Sequence, residues 1–402
     1  WGFLAAPSGR MTGCMRLLKF GKPALATVPD LPQTADFSTE STAFGADGAL
    51  AVRYWPAYSN PYQRLFYGRA ADQYYAEPGD AETALSAVRA NPRGGICFHI
   101  HWLNRLFRDA QQSGDPAEHL AAFLAICGQI RARGGKIAWT MHNLIEHESI
   151  DEAAERRFRS DLAQRADTVI VHGDRAAHAA VAEFETPQDR VLNVPHGSYI
   201  GVYPNSVTQT EAQRALGLTD AETVFANVGQ VRPYKGLNAL VRAVLTINGE
   251  GARAKLVIAG NANADQRAAL AEATGASRDI VTSLDRVPDD RLQIYLNAAD
   301  FIVLPYRAIL TSGSAILAFS FARPVIAPAI GALPELVQDG VNGLLYDPAD
   351  AEGLANALRR AAATPAATRA DMNAAAFRSA TQLRWRDARL PFVRALACHP
   401  DS

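Results

Sequence analysis

The sequence predicts an α/β protein with two doubly wound domains facing a central cleft, and three observations lead there. From about Leu50 onward, strand-like apolar runs alternate with helical spacing, the pattern of parallel sheets covered by helices. The 402 residues exceed what one ordinary core holds and suit two. The alternation is interrupted over 201–222, where Gly201, Pro204, Asn205 and Gly217 lie among polar residues and read as a connection.

The elements follow in order. Residues 1–48, rich in Pro, Thr, Ser and Ala, show no sustained periodicity and are set aside as an irregular extension. Within them Cys14 to Lys22 is basic and apolar, a disordered leader or alternatively a membrane-surface anchor. The first domain, 49–200, takes strands from Ala49 to Tyr54, Ile96 to His101, Lys136 to Thr140, Thr168 to His172 and Arg190 to Val194. Helices are expected at Leu120 to Arg131 and Glu152 to Ala166. The second domain, 223–380, takes strands from Val224 to Val228, Lys255 to Ala259, Phe301 to Leu304, Pro324 to Ala327 and Gly343 to Tyr346. The remaining 381–402 is helical, with Leu383, Trp385, Leu390, Phe392 and Val393 spaced to pack. It either crosses back onto the first domain or stays within the second.

Charge and cysteine usage narrow the function classes. Forty Lys plus Arg balance 41 Asp plus Glu, so no overall field recruits nucleic acid, and any cationic site is local. Cys14, Cys97, Cys127 and Cys398 have no metal-ligand or redox spacing, which suits reduced thiols and no structural zinc. No apolar run reaches the 18 to 20 residues needed to span a bilayer.

The most informative stretch is Val228-Gly229-Gln230-Val231-Arg232-Pro233-Tyr234-Lys235-Gly236, where a strand gives way to a helix. Its glycines admit close backbone approach, and Arg232 and Lys235 beside a helix start favour a multiply charged anion. A second strand end, Leu304-Pro305-Tyr306-Arg307, leads to Thr311-Ser312-Gly313-Ser314 at the start of an apolar helix. Small residues there leave backbone N–H groups and hydroxyls open to an anion. Together Gly229, Arg232, Lys235, Ser312, Gly313 and Ser314 form the expected clamp on one diphosphate.

These motifs, followed by Pro324-Val325-Ile326-Ala327, Gly331-Ala332-Leu333-Pro334-Glu335-Leu336-Val337 and Gly340-Val341-Asn342-Gly343-Leu344-Leu345, resemble the nucleotide-sugar domain of GT-B glycosyltransferases, whose two domains are Rossmann-like. The resemblance implies that Arg232 and Lys235 bind the donor diphosphate and that the loop from Asp285 to Val287 lies near the nucleoside base. Retaining members carry two glutamates, at positions that here hold Ile309 and Leu317, which points to inversion.

In the first half, Asn60 to Tyr67, His99-Ile100-His101-Trp102, Thr140 to Glu148 and Pro195 to Tyr199 resemble the inverting β-mannosyltransferases of bacterial exopolysaccharide assembly, of the xanthan and acetan type. That resemblance implies transfer of mannose from GDP-mannose to a polyprenyl-diphosphate oligosaccharide, in the cytoplasm or at the inner face of the plasma membrane.

Inversion needs a base for the acceptor hydroxyl. Glu148 is the first choice, with His142 or His101 as alternatives, and His142 also suits contact with the donor sugar or phosphate. His196 is either a cleft or a turn residue. Trp102, Arg105 and Phe107 face either an acceptor or the core, and Asp289-Asp290 reads as a helix cap. No metal site and no cofactor are expected beyond the nucleotide-sugar substrate. The rival readings are a UDP-sugar donor, glucose or glucuronate, and a non-catalytic nucleotide-sugar-binding protein.

Overall fold

The computed structural model describes residues 50–68, 74–91, 95–146, 148–218 and 223–397. The basic apolar segment Cys14 to Lys22, His147 and Cys398 therefore lie outside the described residues, and residues 46–402 form one compact unit. Two six-stranded sheets organise it, every described pairing parallel.

The first sheet comprises β1 (Leu50–Trp55), β2 (Tyr74–Pro78), β3 (Ile96–Ile100), β4 (Lys136–Thr140), β5 (Thr168–Val171) and β6 (Val191–Asn193), in the order β2-β1-β3-β4-β5-β6. The second comprises β7 (Thr223–Val228), β8 (Ala254–Ala259), β9 (Ile280–Ser283), β10 (Phe301–Val303), β11 (Val325–Pro328) and β12 (Gly343–Tyr346), in the order β12-β11-β10-β7-β8-β9. Central strands such as β3, β7 and β10 are buried along their whole length, because helices cover both faces of a parallel sheet. In each sheet the order reverses once, between β1 and β3 and between β7 and β10. Loops at such a reversal diverge and leave a crevice at the strand C-termini.

Several elements differ from the sequence reading. The edge strands β2 and β9 were not expected; β2 is short and ends in Pro78, and β9 is only half-buried, so neither shows the apolar run that marks a central strand. The supposed connection contains a helix, Gln209–Ala215, opened by a capping box between Thr208 and Glu211. Its Ala212 joins the second half's core, so a polar, loop-like sequence hides a docked element. Asp289 and Asp290 do not cap the next helix, Leu292–Ala298; the cap position is Arg291, without a side-chain cap bond.

The C-terminal region divides in two. One helix, Ala366–Gln382, lies in the second half, and after Leu383 and Arg384 another, Trp385–Ala397, packs against the first. Ala388, Phe392, Val393 and Leu396 share a buried cluster with Val52, Tyr62, Phe66, Tyr67 and Tyr74. Trp385 donates its indole N–H to Ser198 O at 2.7 Å, and Lys136 Nζ donates to Leu396 O at 3.0 Å. Gly197 permits this contact, because any Cβ there would collide with the Trp385 ring. Phe392 is fully buried against Phe66 and His99. Truncating a buried Phe to Ala removes transfer energy and leaves a cavity, so Phe392→Ala is expected to lose about 3 to 5 kcal/mol in the unfolding transition of the first half. Denaturant melts followed by Trp fluorescence read this, and a loss below about 1 kcal/mol would contradict the packing.

Candidate functional site

The loops after β7 and β10 meet at the order reversal of the second sheet. Gly236, at φ 68°, closes the first loop directly against Pro305 O, where no Cβ fits. Arg307 N donates to Tyr234 O at 2.8 Å, and the rings of Tyr234 and Tyr306 stack with centroids 5.9 Å apart. The two loops expected to grip an anion are thus joined edge to edge. Ser312 caps the helix Gly313–Ser320, its Oγ accepting from Ala315 N at 3.2 Å.

Lys235 is the notable cation. Its residue is 6% exposed, and its ammonium shares no hydrogen bond or ion pair with the described residues. Gly229, at φ 127°, leaves room for it, since a Cβ there would lie 3.0 Å from Nζ. Burial, and then the neighbouring charge of Arg232, pull its pKa from 10.5 down to about 8. A buried ammonium without a partner is unfavourable, and an anion at this point would relieve it. Arg232 is not free: its Nη1 donates to Glu148 Oε1 at 3.2 Å across the cleft.

The first half supplies the opposite wall. A buried guanidinium, Arg159, holds the loop after β4, donating to Asn143 O, Glu146 Oε1 and Glu155 Oε1 at 2.8 to 3.0 Å. Glu155 in turn accepts from Glu146 N at 2.7 Å. On the loop so fixed, His142 stacks against Trp102, centroids 4.4 Å apart at 13°.

Behind His142 lies a buried cluster that the motifs only partly showed. The Tyr67 hydroxyl is 2.7 Å from both His99 Nδ1 and His101 Nε2. His101 Nδ1 is 3.3 Å from His142 Nε2, and His99 Nε2 is 2.8 Å from Thr140 Oγ1. The Tyr62 hydroxyl is 2.9 Å from His172 Nε2. Burial drives the pKa of His99, His101 and His142 well below 6.5, that of His172 to about 4 and that of His196 to about 3. These imidazoles are neutral at pH 7.

Two pockets hold part of the predicted set, and Gly229 and Lys235 line neither. One, of about 440 Å³, brings His142, Ser312, Gly313 and Ser314 together with Tyr62, Trp102, His196 and Tyr199. Ile309 and Leu317 also line it. The other, of about 830 Å³, holds Glu148, Arg232, Gln230, Trp102, Phe107 and Arg108. Glu148 therefore sits apart from His142's pocket, with a side chain 58% exposed and turned to Arg232. His101 lies one step behind His142, fully enclosed. Val287 follows the edge strand β9 and lines neither pocket. Tyr199 and His196 were not singled out as anion-site residues. Yet a Cβ on Gly313 would lie 3.2 Å from Tyr199 Oη and 3.6 Å from His196 Nε2. Only the tertiary fold reveals that proximity, because more than 100 residues separate the two segments.

Residues 222–364 match the family model of glycosyl transferases group 1. The chain is 30% identical over 250 residues to a D-inositol 3-phosphate glycosyltransferase of Actinosynnema mirum, covering 58% of this chain and 60% of the relative. It is 28% identical over 297 residues to the GDP-mannose:glycolipid 4-beta-D-mannosyltransferase of Xanthomonas campestris pv. campestris, covering 72% and 78% respectively. Against the first three inositol phosphate glycosyltransferases, the chain spans 60%, 54% and 46% of their length. The structure of Anabaena Alr3699/HepE in complex with UDP superposes with a TM-score of 0.67 at 14% identity, covering 87% of this chain and 99% of that one. The matched region, 222–364, forms the second half of a GT-B fold. Among the described residues, no group of three or more His, Cys, Asp or Glu is arranged to hold a metal ion, and no helix is long and apolar enough to cross a membrane. Cys97 and Cys127 are buried free thiols.

The neutral histidine cluster predicts acid sensitivity. An unfolded imidazole binds its proton near pH 6.5, whereas folded His172 and His196 resist protonation until about pH 4 and 3. Their stabilisation is complete above pH 6.5 and is lost as pH falls toward those values, by roughly 1.4 kcal/mol per unit for each ring. Thermal midpoints should therefore fall between pH 6.5 and 5, above the carboxylate range. A flat profile across that window would refute the assignment.

Proposed function

We propose that the protein is a glycosyltransferase that moves a hexose from a nucleoside diphosphate sugar to an acceptor hydroxyl with inversion at the anomeric carbon. The observation that carries this reading is Lys235, a buried ammonium without a partner at the crevice of the region matching glycosyl transferases group 1. Its loop is joined to the one leading to the open helix start at Ser312. The diphosphate pairs with Lys235, draws Arg232 from Glu148 and accepts from the backbone N–H groups at Gly313 and Ser314. As the sugar–phosphate bond breaks, these same groups stabilise the charge gathering on the leaving diphosphate.

His142 is the base this geometry favours. It shares a pocket with Ser312 to Ser314 and is neutral at working pH, whereas Glu148 is mostly exposed and engaged with Arg232. Ile309 and Leu317 line that pocket without offering a carboxylate to the sugar's other face, which supports inversion. For the finer assignment we favour mannose from GDP-mannose, delivered to a polyprenyl-diphosphate oligosaccharide for exopolysaccharide at the inner face of the plasma membrane. Supporting it is the Xanthomonas campestris relative, whose match extends over 72% of this chain against 58% for the Actinosynnema mirum relative.

Lys235→Ala and Arg232→Ala should each lower kcat by about 10² to 10³ while leaving the thermal midpoint in place. Retained turnover in both would overturn the diphosphate clamp. Calorimetry with GDP and UDP tests the donor: GDP should bind more tightly, and a preference for UDP removes the mannose assignment. An α-linked product from an α-linked donor, read by NMR coupling, would contradict inversion.

A further inference from the structure

The turn Pro195-His196-Gly197-Ser198-Tyr199 follows β6 and meets the helix Gly313–Ser320 at both of its ends. Tyr199 N donates to Ser320 Oγ at 2.9 Å, and a Cβ on Gly313 would lie 3.6 Å from His196 Nε2. The C-terminal region holds the other side of the turn. Ser198 N donates to Leu383 O at 2.7 Å, and Ser198 O accepts the Trp385 indole N–H. The His196 ring packs among those of Tyr62, His172, Tyr199 and Trp385, with centroids 5.1 to 5.7 Å away. Its place where the two halves meet is thereby fixed.

A single contact also places its hydrogen. Nδ1 lies 2.8 Å from Gly197 O, and a carbonyl oxygen can only accept. Burial pushes the pKa of the ring down to about 3, so one hydrogen is present at pH 7 and it is on Nδ1. Nε2 is a bare lone pair. Among the described residues no group donates to it. The ring lines two pockets, of about 260 and 440 Å³, and Ser312 lines both. A donor for Nε2 must therefore come from outside the chain.

A phosphate oxygen cannot be that donor, because it too only accepts, and two lone pairs facing each other repel. A hydroxyl can. The hexose of a nucleoside diphosphate sugar carries several, and it is bonded to the diphosphate proposed to sit at Gly313 and Ser314. No carboxylate lines the 440 Å³ pocket among the described residues, so a hexose entering it meets a neutral imidazole where an anionic acceptor is lacking. The Tyr62 ring lies 5.2 Å from that of His196 and 5.0 Å from that of His142. A sugar that reaches His196 is thus beside the proposed base.

We propose that His196 is a specificity-determining residue, accepting at Nε2 a hydrogen bond from a hydroxyl of the hexose carried by the nucleotide donor. The identity of the ligand rests on the glycosyl transfer proposed above; the bare Nε2 does not. Such a contact is selective in a defined way. Removing the hydroxyl from the sugar leaves the enclosed lone pair unpaired, which a polar site penalises. A nucleoside diphosphate without the hexose never makes the contact and is indifferent to it.

Two variants separate the lone pair from the ring. His196→Phe keeps an aromatic ring among the four neighbours and removes the lone pair, whereas His196→Gln returns an acceptor oxygen. Taking whichever of GDP-mannose and UDP-glucose is the better donor, the parent should disfavour one of its monodeoxy analogues by about 10- to 100-fold in kcat/KM. His196→Phe should erase that preference, and His196→Gln should regain part of it. An equal fall for every donor in His196→Phe, or an undiminished preference, would overturn the proposal.

Calorimetry reads the same contact without turnover. His196→Phe should bind the nucleotide sugar about 10- to 100-fold more weakly and the bare nucleoside diphosphate as before; equal changes for the two would overturn the assignment. Should His196→Phe not fold, long-range proton–nitrogen NMR on the intact protein labelled with ¹⁵N-histidine decides, with the His196 signals assigned by their loss in His196→Gln. His196 should appear as the Nδ1–H tautomer at pH 7, and its Nε2 signal should move with the nucleotide sugar but not with the nucleoside diphosphate. An Nε2–H tautomer, or a signal indifferent to the sugar, would overturn the proposal. Sugar-dependent binding through His196 without transfer to any acceptor would sustain the contact and remove the proposed reaction. Transfer by a His196→Phe variant that discriminates as the parent does would do the reverse.

Discussion

Arg159 is the residue on which the cleft depends. A guanidinium with 2% exposure has lost nearly all its hydration, and it persists only because its donors are matched by two carboxylates and a backbone carbonyl. Those partners are not interchangeable surface groups: Asn143 and Glu146 belong to the loop that follows β4, and Glu155 to the helix beneath it. Satisfying one buried charge therefore fixes the path of the whole loop. His142 stands at one end of it against Trp102, and Glu148 at the other beside Arg232. Loosening the guanidinium would release both at once.

The two halves divide their electrostatics. The second half concentrates positive charge and open N–H groups at the reversal between β7 and β10, as stabilising a dianion requires. The first half surrounds its reversal between β1 and β3 with neutral imidazoles and phenols, kept neutral by burial and by one another. Had the cations and the base shared one sheet, each ammonium or guanidinium would have depressed the base further. In the proposed reaction, placing them on opposing walls keeps the proton acceptor and the anion receptor free of a permanent conflict of charge.

Much of this was legible in the chain. The runs Lys136 to Thr140 and Gly343 to Tyr346 coincide with β4 and β12, because each is a short, mainly apolar run set between polar segments. The edge strands β2 and β9 escaped because neither carries such a run, as did the helix Gln209–Ala215, whose single buried residue is Ala212. Gly229 and Lys235 read as an anion cradle because glycine and cation are neighbours in one strand-to-helix loop, and Ser312 joins that reading as the start of a second helix; the cradle itself stays a proposal. Tyr62, Tyr67, His99 and Thr140 stand within the first-half motifs, yet their mutual contacts were not legible, since these arise from strand order: β3 pairs with β1 and β4, which sets His99 beside Tyr54 and Ala138. A tyrosine between two histidines contributed by one strand is invisible until the preceding helix is laid across it.

The helix Trp385–Ala397 has a consequence for how the molecule is made. It fills the face of the first half with Phe392 and Leu396, yet it emerges from the ribosome only after the entire second sheet. Domains ordinarily fold in the order of their synthesis, but here the earlier half keeps an apolar face uncovered while the later one is completed. His99 lacks its Phe392 neighbour until the last turns of helix arrive. Maturation of the binding cleft is thereby deferred to a late docking event, and the nascent first half is the state most in need of protection from aggregation.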